Sequence, residues 1–154
     1  MDASPVLKAI AKALQKAQLE AIMVGNAAAA LHGAPVTTLD VDFMFRKTST
    51  NLRKLKIFAN ELDDRILKPF YPLSDLYRVV NDDTGMQVDF MSVLHGIKSF
   101  ESLRSGAVAV EFEGYQLMIA SLEKIIRSKK SLGRPRDKAV IDILENTLDE
   151  QRKR

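Results

Sequence analysis

The pattern that most restricts the fold is an alternation of apolar and acidic residues in two separate segments. The tetrapeptide Val-Asp-Phe-Met spans positions 41–44 and again 88–91, and Leu39 and Asp40 precede the first copy. Successive side chains of a β-strand point to opposite faces of its sheet, so Asp40 and Asp42 are expected to share one face. The alternation therefore predicts two strands that are apolar on one side and acidic on the other.

The rest of the chain alternates between helical and strand-like segments. Apolar residues at helical spacing predict helices over 5–18, 26–33, 48–62, 99–103, 121–133 and from 135 to about 148. Short strands are predicted at 21–25, 39–45, 65–67 and 76–81, and turn signals at 81–85 and 113–114 predict two β-hairpins. This order predicts one α/β (α+β) domain over residues 1–154, with a mixed central β-sheet flanked by helices.

Composition excludes several classes of protein. The chain has 154 residues, a net charge of +3 and no cysteine, so disulfide frameworks and Cys-based zinc sites are excluded. No apolar run approaches the roughly 20 residues of a membrane span, and the Lys-containing N-terminal segment is not a signal peptide. We therefore expect a cytoplasmic protein without a membrane partner.

The acidic residues are candidate metal ligands. If the two Val-Asp-Phe-Met strands are neighbours, Asp40, Asp42 and Asp89 converge on one side of the sheet. Three such charges raise one another's pKa unless a cation offsets them, and carboxylate oxygens suit Mg²⁺ or Mn²⁺. The alternative is that the tetrapeptide repeats by chance and that these acids occupy a solvated sheet face.

Two further segments have the composition of anion sites. Gly25 follows a predicted strand, and the helix expected to start at Asn26 would direct its N–H groups towards a bound phosphate. Asn26 could also cap this helix. Positive charge is concentrated between Lys124 and Lys138. The alternatives are an ordinary strand–turn–helix corner and a solvated basic helix face.

The order of these motifs resembles a known family. Four segments in this order resemble the nucleotidyltransferase superfamily with the DNA polymerase β-like palm. They are V-G-N-A-A-A-A-L-H-G, then T-T-L-D-V-D-F, a distant V-D-F, and S-L-E-K-I-I-R-S-K-K-S-L-G-R-P-R-D. The similarity extends over roughly residues 20 to 142. It is strongest to the small bacterial nucleotidyltransferases, which include toxin–antitoxin-associated members.

The resemblance implies roles for individual residues. It makes Asp40 and Asp42 metal ligands, and Asp89 the third carboxylate and the candidate base for an attacking hydroxyl. The nucleotide would be bound by the phosphate turn and by the basic segment near the C-terminus, through Gly25, Asn26, Lys129, Arg134 and Arg136. Asn26 departs from the family pattern, which has Gly or Ser there. Asp137 is interpreted as a helix cap or arginine partner, and His95 as a residue that could face the site.

The resemblance also implies an activity. The expected reaction is metal-dependent transfer of a nucleoside monophosphate from an NTP to a hydroxyl acceptor, with release of pyrophosphate. An RNA 3′ end, a protein and a small molecule are all acceptors of that kind, and a partner protein or homodimer could complete the site. The alternative is a non-catalytic module of the same fold that binds a nucleotide or a partner, such as a toxin–antitoxin component. An unrelated sheet domain with exposed acids is a third interpretation.

Overall fold

The computed structural model describes residues 4–37, 40–67 and 75–154. The helices are α1 (Ser4–Ala17), α2 (Gly25–Leu31), α3 (Ser49–Glu61), α4 (Phe100–Arg104), α5 (Leu122–Leu132) and α6 (Lys138–Arg152), with a 3₁₀ turn at Pro135–Asp137. The strands are β1 (Ile22–Val24), β2 (Asp40–Met44), β3 (Arg65–Leu67), β4 (Leu76–Val80), β5 (Gln87–Met91), β6 (Val108–Phe112) and β7 (Tyr115–Ile119). Leu39, the first residue of the predicted strand 39–45, lies outside the described residues.

The strands form one mixed sheet. Their order is β3-β4-β5-β2-β1-β7-β6, in which β5 pairs with β2 and β1 with β7 in parallel, and the other neighbours are antiparallel. Both predicted hairpins are present, as β4–β5 and β6–β7. The predicted fold class, a mixed sheet flanked by helices, is confirmed.

The apolar residues of the repeated tetrapeptide lie in the core. Phe43 and Phe90 stack with their ring centroids 5.3 Å apart, and Phe58 of α3 meets the Phe90 ring edge-on at 5.1 Å. All three rings are fully buried. The alternation therefore fixes which face of β2 and β5 packs against α3, and Asp42 and Asp89 are left on the other face.

Local sequence explains the start of three helices and the end of one. Thr48, Ser99 and Ser121 each accept a hydrogen bond from a backbone N–H in the first turn of α3, α4 and α5 respectively, and Gly133 ends α5 with a φ of +68°.

Two helix starts differ from prediction. Helix α2 begins at Gly25, so Asn26 lies inside its first turn and does not cap it. Pro135 opens a 3₁₀ turn rather than the last α-helix, which begins at Lys138.

No helix in the described part of the chain combines the length and apolar character needed to cross a bilayer.

Candidate active site

The two parallel strands β2 and β5 bring the acidic residues side by side. Asp42 and Asp89 are directly opposite each other in the register, and Asp40 is opposite Gln87. Neighbouring strands of a sheet lie about 4.7–4.9 Å apart, and residues opposite one another share a face. The backbones of β2 and β5 are therefore placed as the predicted convergence of acidic residues requires.

This arrangement disfavours the ionised form of Asp42. Burial raises the pKa of Asp42, and the negative charges of Asp89 and Asp40 raise it further, to about 6 from an ordinary value of 3.8. Lys129 and Arg78 oppose this shift. The described residues thus leave negative charge uncompensated at Asp42, which would favour a cation beside it.

Asp89, in contrast, has a cationic partner on β4. Arg78 lies opposite Asp89 in the β4–β5 register, and its Nε and Nη2 donate to Asp89 Oδ1 and Oδ2 at 3.0 and 3.3 Å. Gln87 Nε2 also donates to Asp89 Oδ2, at 3.3 Å. Asp89 is only 7% exposed, so this pairing offsets the cost of burying its charge.

The turn after β1 lies directly against the acids. Gly25 has a φ of +70°, and a Cβ at this position would be 3.0 Å from Asp42 Oδ2. A residue with a side chain would therefore be strained and would push on the carboxylate. The next residue, Asn26, has a buried Oδ1 without a hydrogen-bond partner in the described residues.

A cavity of about 530 Å³ joins these acids to the basic segment. Its lining includes Gly25, Asn26, Asp40 and Asp42, and on α5 and the following turn Lys129, Arg134 and Arg136. Asp89 is not among its lining residues. The structure therefore brings together seven of the eight residues that sequence reasoning assigned to the site, and places the eighth next to Asp42 in the sheet.

Asp137 organises the basic side of the cavity. It is 5% exposed, accepts a hydrogen bond from Arg134 Nε at 2.6 Å and lies 3.8 Å from Lys129 Nζ. Burial tends to raise the pKa of Asp137, but the hydrogen bond from Arg134 and the nearby positive charges lower it overall. Burial lowers the pKa of Lys129, against the attraction of Asp137. The interpretation of Asp137 as an arginine partner is confirmed, whereas Asp137 makes no side-chain cap to α6.

The residues present fit a divalent cation in part. Across residues 4–37, 40–67 and 75–154, no three His, Asp or Glu side chains are arranged to hold one metal ion. Asp42 still supplies hard oxygen donors where negative charge is uncompensated, and Asp40 lines the same cavity. Asp89 could join them only if its oxygens were released by Arg78, so the three-ligand set remains a prediction.

Sequence comparison identifies the family. Residues 3–154 match the model of the family described as "Nucleotidyl transferase of unknown function (DUF2204)". The chain belongs to this nucleotidyl transferase family. No match is found among curated proteins.

Solved structures with the same fold include an antibiotic-resistance factor and an antibiotic adenylyltransferase. The antibiotic-resistance factor ANT(2'')-Ia is 14% identical, with a TM-score of 0.67 over 96% of this chain and 83% of that one. The lincosamide antibiotic adenylyltransferase LnuA, with lincomycin bound, is 9% identical, with a TM-score of 0.60 over 87% and 90%. TM1012 from Thermotoga maritima is 22% identical, with a TM-score of 0.63 over 95% and 92%. At these identities the likeness shows that the nucleotidyl transferase shares their fold.

Sequence reasoning did not assign Arg78 or Gln87 to the site of this nucleotidyl transferase. Arg78 follows from the hairpin register, in which it is opposite Asp89, whereas Gln87 lies two residues before Asp89 on β5 and therefore shares its face. The turn at 81–85 was recognised, but pairing the residues on either side of it would have been needed to find the contact. His95, given only as a residue that could face the site, lines the cavity.

Proposed function

We propose that this nucleotidyl transferase transfers a nucleoside monophosphate from an NTP to a hydroxyl acceptor. The acceptor oxygen forms a bond to the α-phosphorus, the bond from that phosphorus to the bridging oxygen of the β-phosphate breaks, and pyrophosphate leaves. The hydroxyl proton would pass to Asp89, the third carboxylate beside the cavity, once Arg78 releases one of its oxygens. The observation that carries the proposal is one cavity that has Asp40 and Asp42 on the sheet side and cationic side chains, including Lys129, on the α5 side.

The carboxylates would bind the cofactor and the cationic residues would bind the phosphates. Asp40 and Asp42 would hold Mg²⁺ or Mn²⁺, which when bound would offset triphosphate charge and favour ionisation of the acceptor hydroxyl. Lys129, Arg134 and Arg136 would contact the phosphate oxygens, where arginine can donate two hydrogen bonds at once. Lys129 is 9% exposed, so an anionic ligand would stabilise a charge that burial disfavours.

The Gly25 turn would let the triphosphate approach the sheet. Because Gly25 has no side chain, its backbone lies directly beside Asp42. Asn26, which also lines the cavity, would offer its amide to the nucleotide. Phosphoryl transfer depends mainly on positioning and charge neutralisation, which these groups would supply.

Two lysines allow a matched test of nucleotide binding. Lys129 lines the cavity, whereas its neighbour Lys130 points to solvent and pairs with Glu145. With MgCl₂ and an NTP at about 100 times its Kd, the wild-type protein should gain about 2.7 kcal/mol of stability, visible as a rise in Tm. Lys129→Met should lose most of this rise, because a charge-assisted hydrogen bond contributes about 1.5–3 kcal/mol. Lys130→Met should keep it, and equal behaviour of the two variants would contradict the assigned phosphate site.

The transfer itself is tested with an NTP labelled at the α-phosphate. The label should appear in one acceptor class when the protein is incubated in turn with RNA, with a protein lysate, and with hydroxylated small molecules. The small-molecule arm should include tobramycin, because a structure of ANT(2'')-Ia contains adenylyl-2''-tobramycin. Asp40→Asn combined with Asp42→Asn should abolish labelling. Binding of NTP without labelling of any acceptor would instead favour the non-catalytic module.

A further inference from the structure

The pairing of Asp89 leads to an inference about how the proposed metal site is loaded. Arg78, Asp89 and Asp42 form one row across β4, β5 and β2, since each is opposite the next in the register. The row places a positive charge next to the carboxylates that would bind a divalent cation. Arg78 influences Asp42 as well, because its charge opposes the upward shift of the Asp42 pKa.

The contacts of Asp89 leave little capacity for another ligand. A carboxylate has about four acceptor positions on its two oxygens. Three hydrogen bonds already reach Asp89, two from Arg78 and one from Gln87. The remaining position is on Oδ1, where a cation shared with Asp42 would compete with the Arg78 Nε–H for the same oxygen.

Of the two partners in this ion pair, the arginine is the one that can move away. The Arg78 side chain is 42% exposed, whereas the Asp89 side chain is 10% exposed and is anchored on a central strand. A partly exposed guanidinium regains water when it leaves, while a buried carboxylate would lose its only charged partner in the described residues. Rearrangement should thus occur at Arg78.

We propose that Arg78 is a positioning residue that holds Asp89 ready in the metal-free protein and yields an Asp89 oxygen when the divalent cation binds. This inference rests on the proposed function, because it concerns the same site. Arg78 keeps the carboxylate aligned through its two hydrogen bonds, at the expense of weaker metal binding. The guanidinium repels the incoming cation and blocks one of its ligands.

The test compares metal binding by Arg78 variants without relying on activity. Tm is measured over a MnCl₂ titration for the wild type, Arg78→Gln, Arg78→Lys and the control Arg152→Gln. Arg152 pairs with Glu123 at 3.1 Å, and both side chains are 59% exposed, so the control removes an arginine–carboxylate pair at the surface. Isothermal titration with MnCl₂ gives the same comparison as a direct Kd.

Arg78→Gln should bind Mn²⁺ about tenfold more tightly than the wild type. The reason is that a unit positive charge, such as that of Arg78, roughly 6 Å from a divalent ion weakens binding of the ion by about 1.4 kcal/mol even at the dielectric constant of water. Arg78→Lys, which keeps the charge but loses the two-point contact, should fall between them. Arg152→Gln should match the wild type. At saturating metal, the transfer rate of Arg78→Gln should fall, because Asp89 has lost the group that aligns it.

Each other outcome has a definite meaning. If the wild type responds to Mn²⁺ and both Arg78 variants bind it no more tightly, the positioning role is wrong while the proposed function stands. If even the wild type shows no response to Mn²⁺ or Mg²⁺, the metal site of the proposed function fails, and this inference fails with it. Should Arg78→Gln not fold, Arg78→Lys decides alone, because tighter binding is expected for it too.

Discussion

A partly buried carboxylate beside two others destabilises the folded protein when it ionises, and Asp42 is in this position. Its pKa rises from 3.8 to about 6, so the folded state binds a proton that the unfolded chain has already released. The shift corresponds to up to about 3 kcal/mol of stability, present below pH 4 and lost as the pH rises through about 6. Function, not stability, must therefore explain an acid at this position.

Replacing Asp42 by asparagine should consequently stabilise the metal-free protein. We expect the Tm of Asp42→Asn in EDTA to exceed that of the wild type at pH 8, and the two to converge near pH 4, because asparagine cannot ionise. Thermal unfolding across this pH range gives the comparison. A variant that is less stable than the wild type at pH 8 would show that the charge at Asp42 is already compensated within the protein.

The close approach of Gly25 to Asp42 gives a second prediction for a single residue. Gly25→Ala should lose about 1 kcal/mol or more from backbone strain at positive φ and should also displace the Asp42 carboxylate, since the new Cβ would be 3.0 Å from its Oδ2.

Gly33 is the matched control for Gly25, because its φ is +97° and nothing lies within 4 Å of an added Cβ. Both alanine variants should have a lower Tm, but only Gly25→Ala should lose the Tm rise caused by MgCl₂ and NTP. If both variants kept that rise, the turn at Gly25 would have no part in nucleotide binding.

At the scale of elements, sequence predicted what depends on short-range pattern. Alternation identified β2 and β5, and capping residues such as Ser121 and Gly133 marked the ends of α5. Sequence failed where the outcome depends on contacts between elements. The Arg78–Asp89 ion pair, for example, needs the register of the β4–β5 hairpin.

The same distinction applies to the candidate site. The residue types and their order indicated its acids and cations, since each lies in a recognisable motif. The burial and the charged neighbours of each acid did not follow from the motif. Asp42 has a raised pKa because it is buried beside Asp89, and Asp89 is charge-paired because β4 supplies an arginine. Neighbouring strands decide this difference.

The loop after β5 packs closely against α5. A Cβ at Gly96 would lie 2.8 Å from Ser131 Cβ and 3.1 Å from the Arg127 carbonyl oxygen, both on α5. Val93 and His95 of the same loop line the cavity, so this contact fixes one of its walls.

Gly96→Ala should separate this loop from α5, lowering Tm and weakening NTP binding together. Gly114→Ala is the control, because φ is positive there too, at +92°, and an added Cβ meets no atom within 4 Å. Its Tm should fall less, and its NTP-dependent rise in Tm should be unchanged. Thermal shift with and without NTP measures both effects, and equal losses in the two variants would mean that the Gly96 contact is unimportant.

At the scale of the whole molecule, the candidate site depends on distant parts of the chain. Asp40 and Asp42 come from the first third of the sequence, and Lys129, Arg134 and Arg136 from the last quarter. The sheet brings these parts together, because β1 pairs with β2 on one side and with β7 on the other. Helix α1 packs against both α3 and β7. The cavity therefore requires the complete fold.

This interleaving predicts that the chain unfolds as one cooperative unit, as expected for a single domain over residues 1–154. No single cut leaves two parts that each retain a core, since removing β7 exposes β1 and α1 together. Calorimetry should show one transition, and its calorimetric enthalpy should equal the van't Hoff enthalpy. Both should be near 110 kcal/mol at about 60 °C, because unfolding usually takes about 0.7 kcal/mol per residue. Two resolved transitions, or a stably folded fragment ending near residue 63, would show that the two halves fold independently and that the site is built between separate domains.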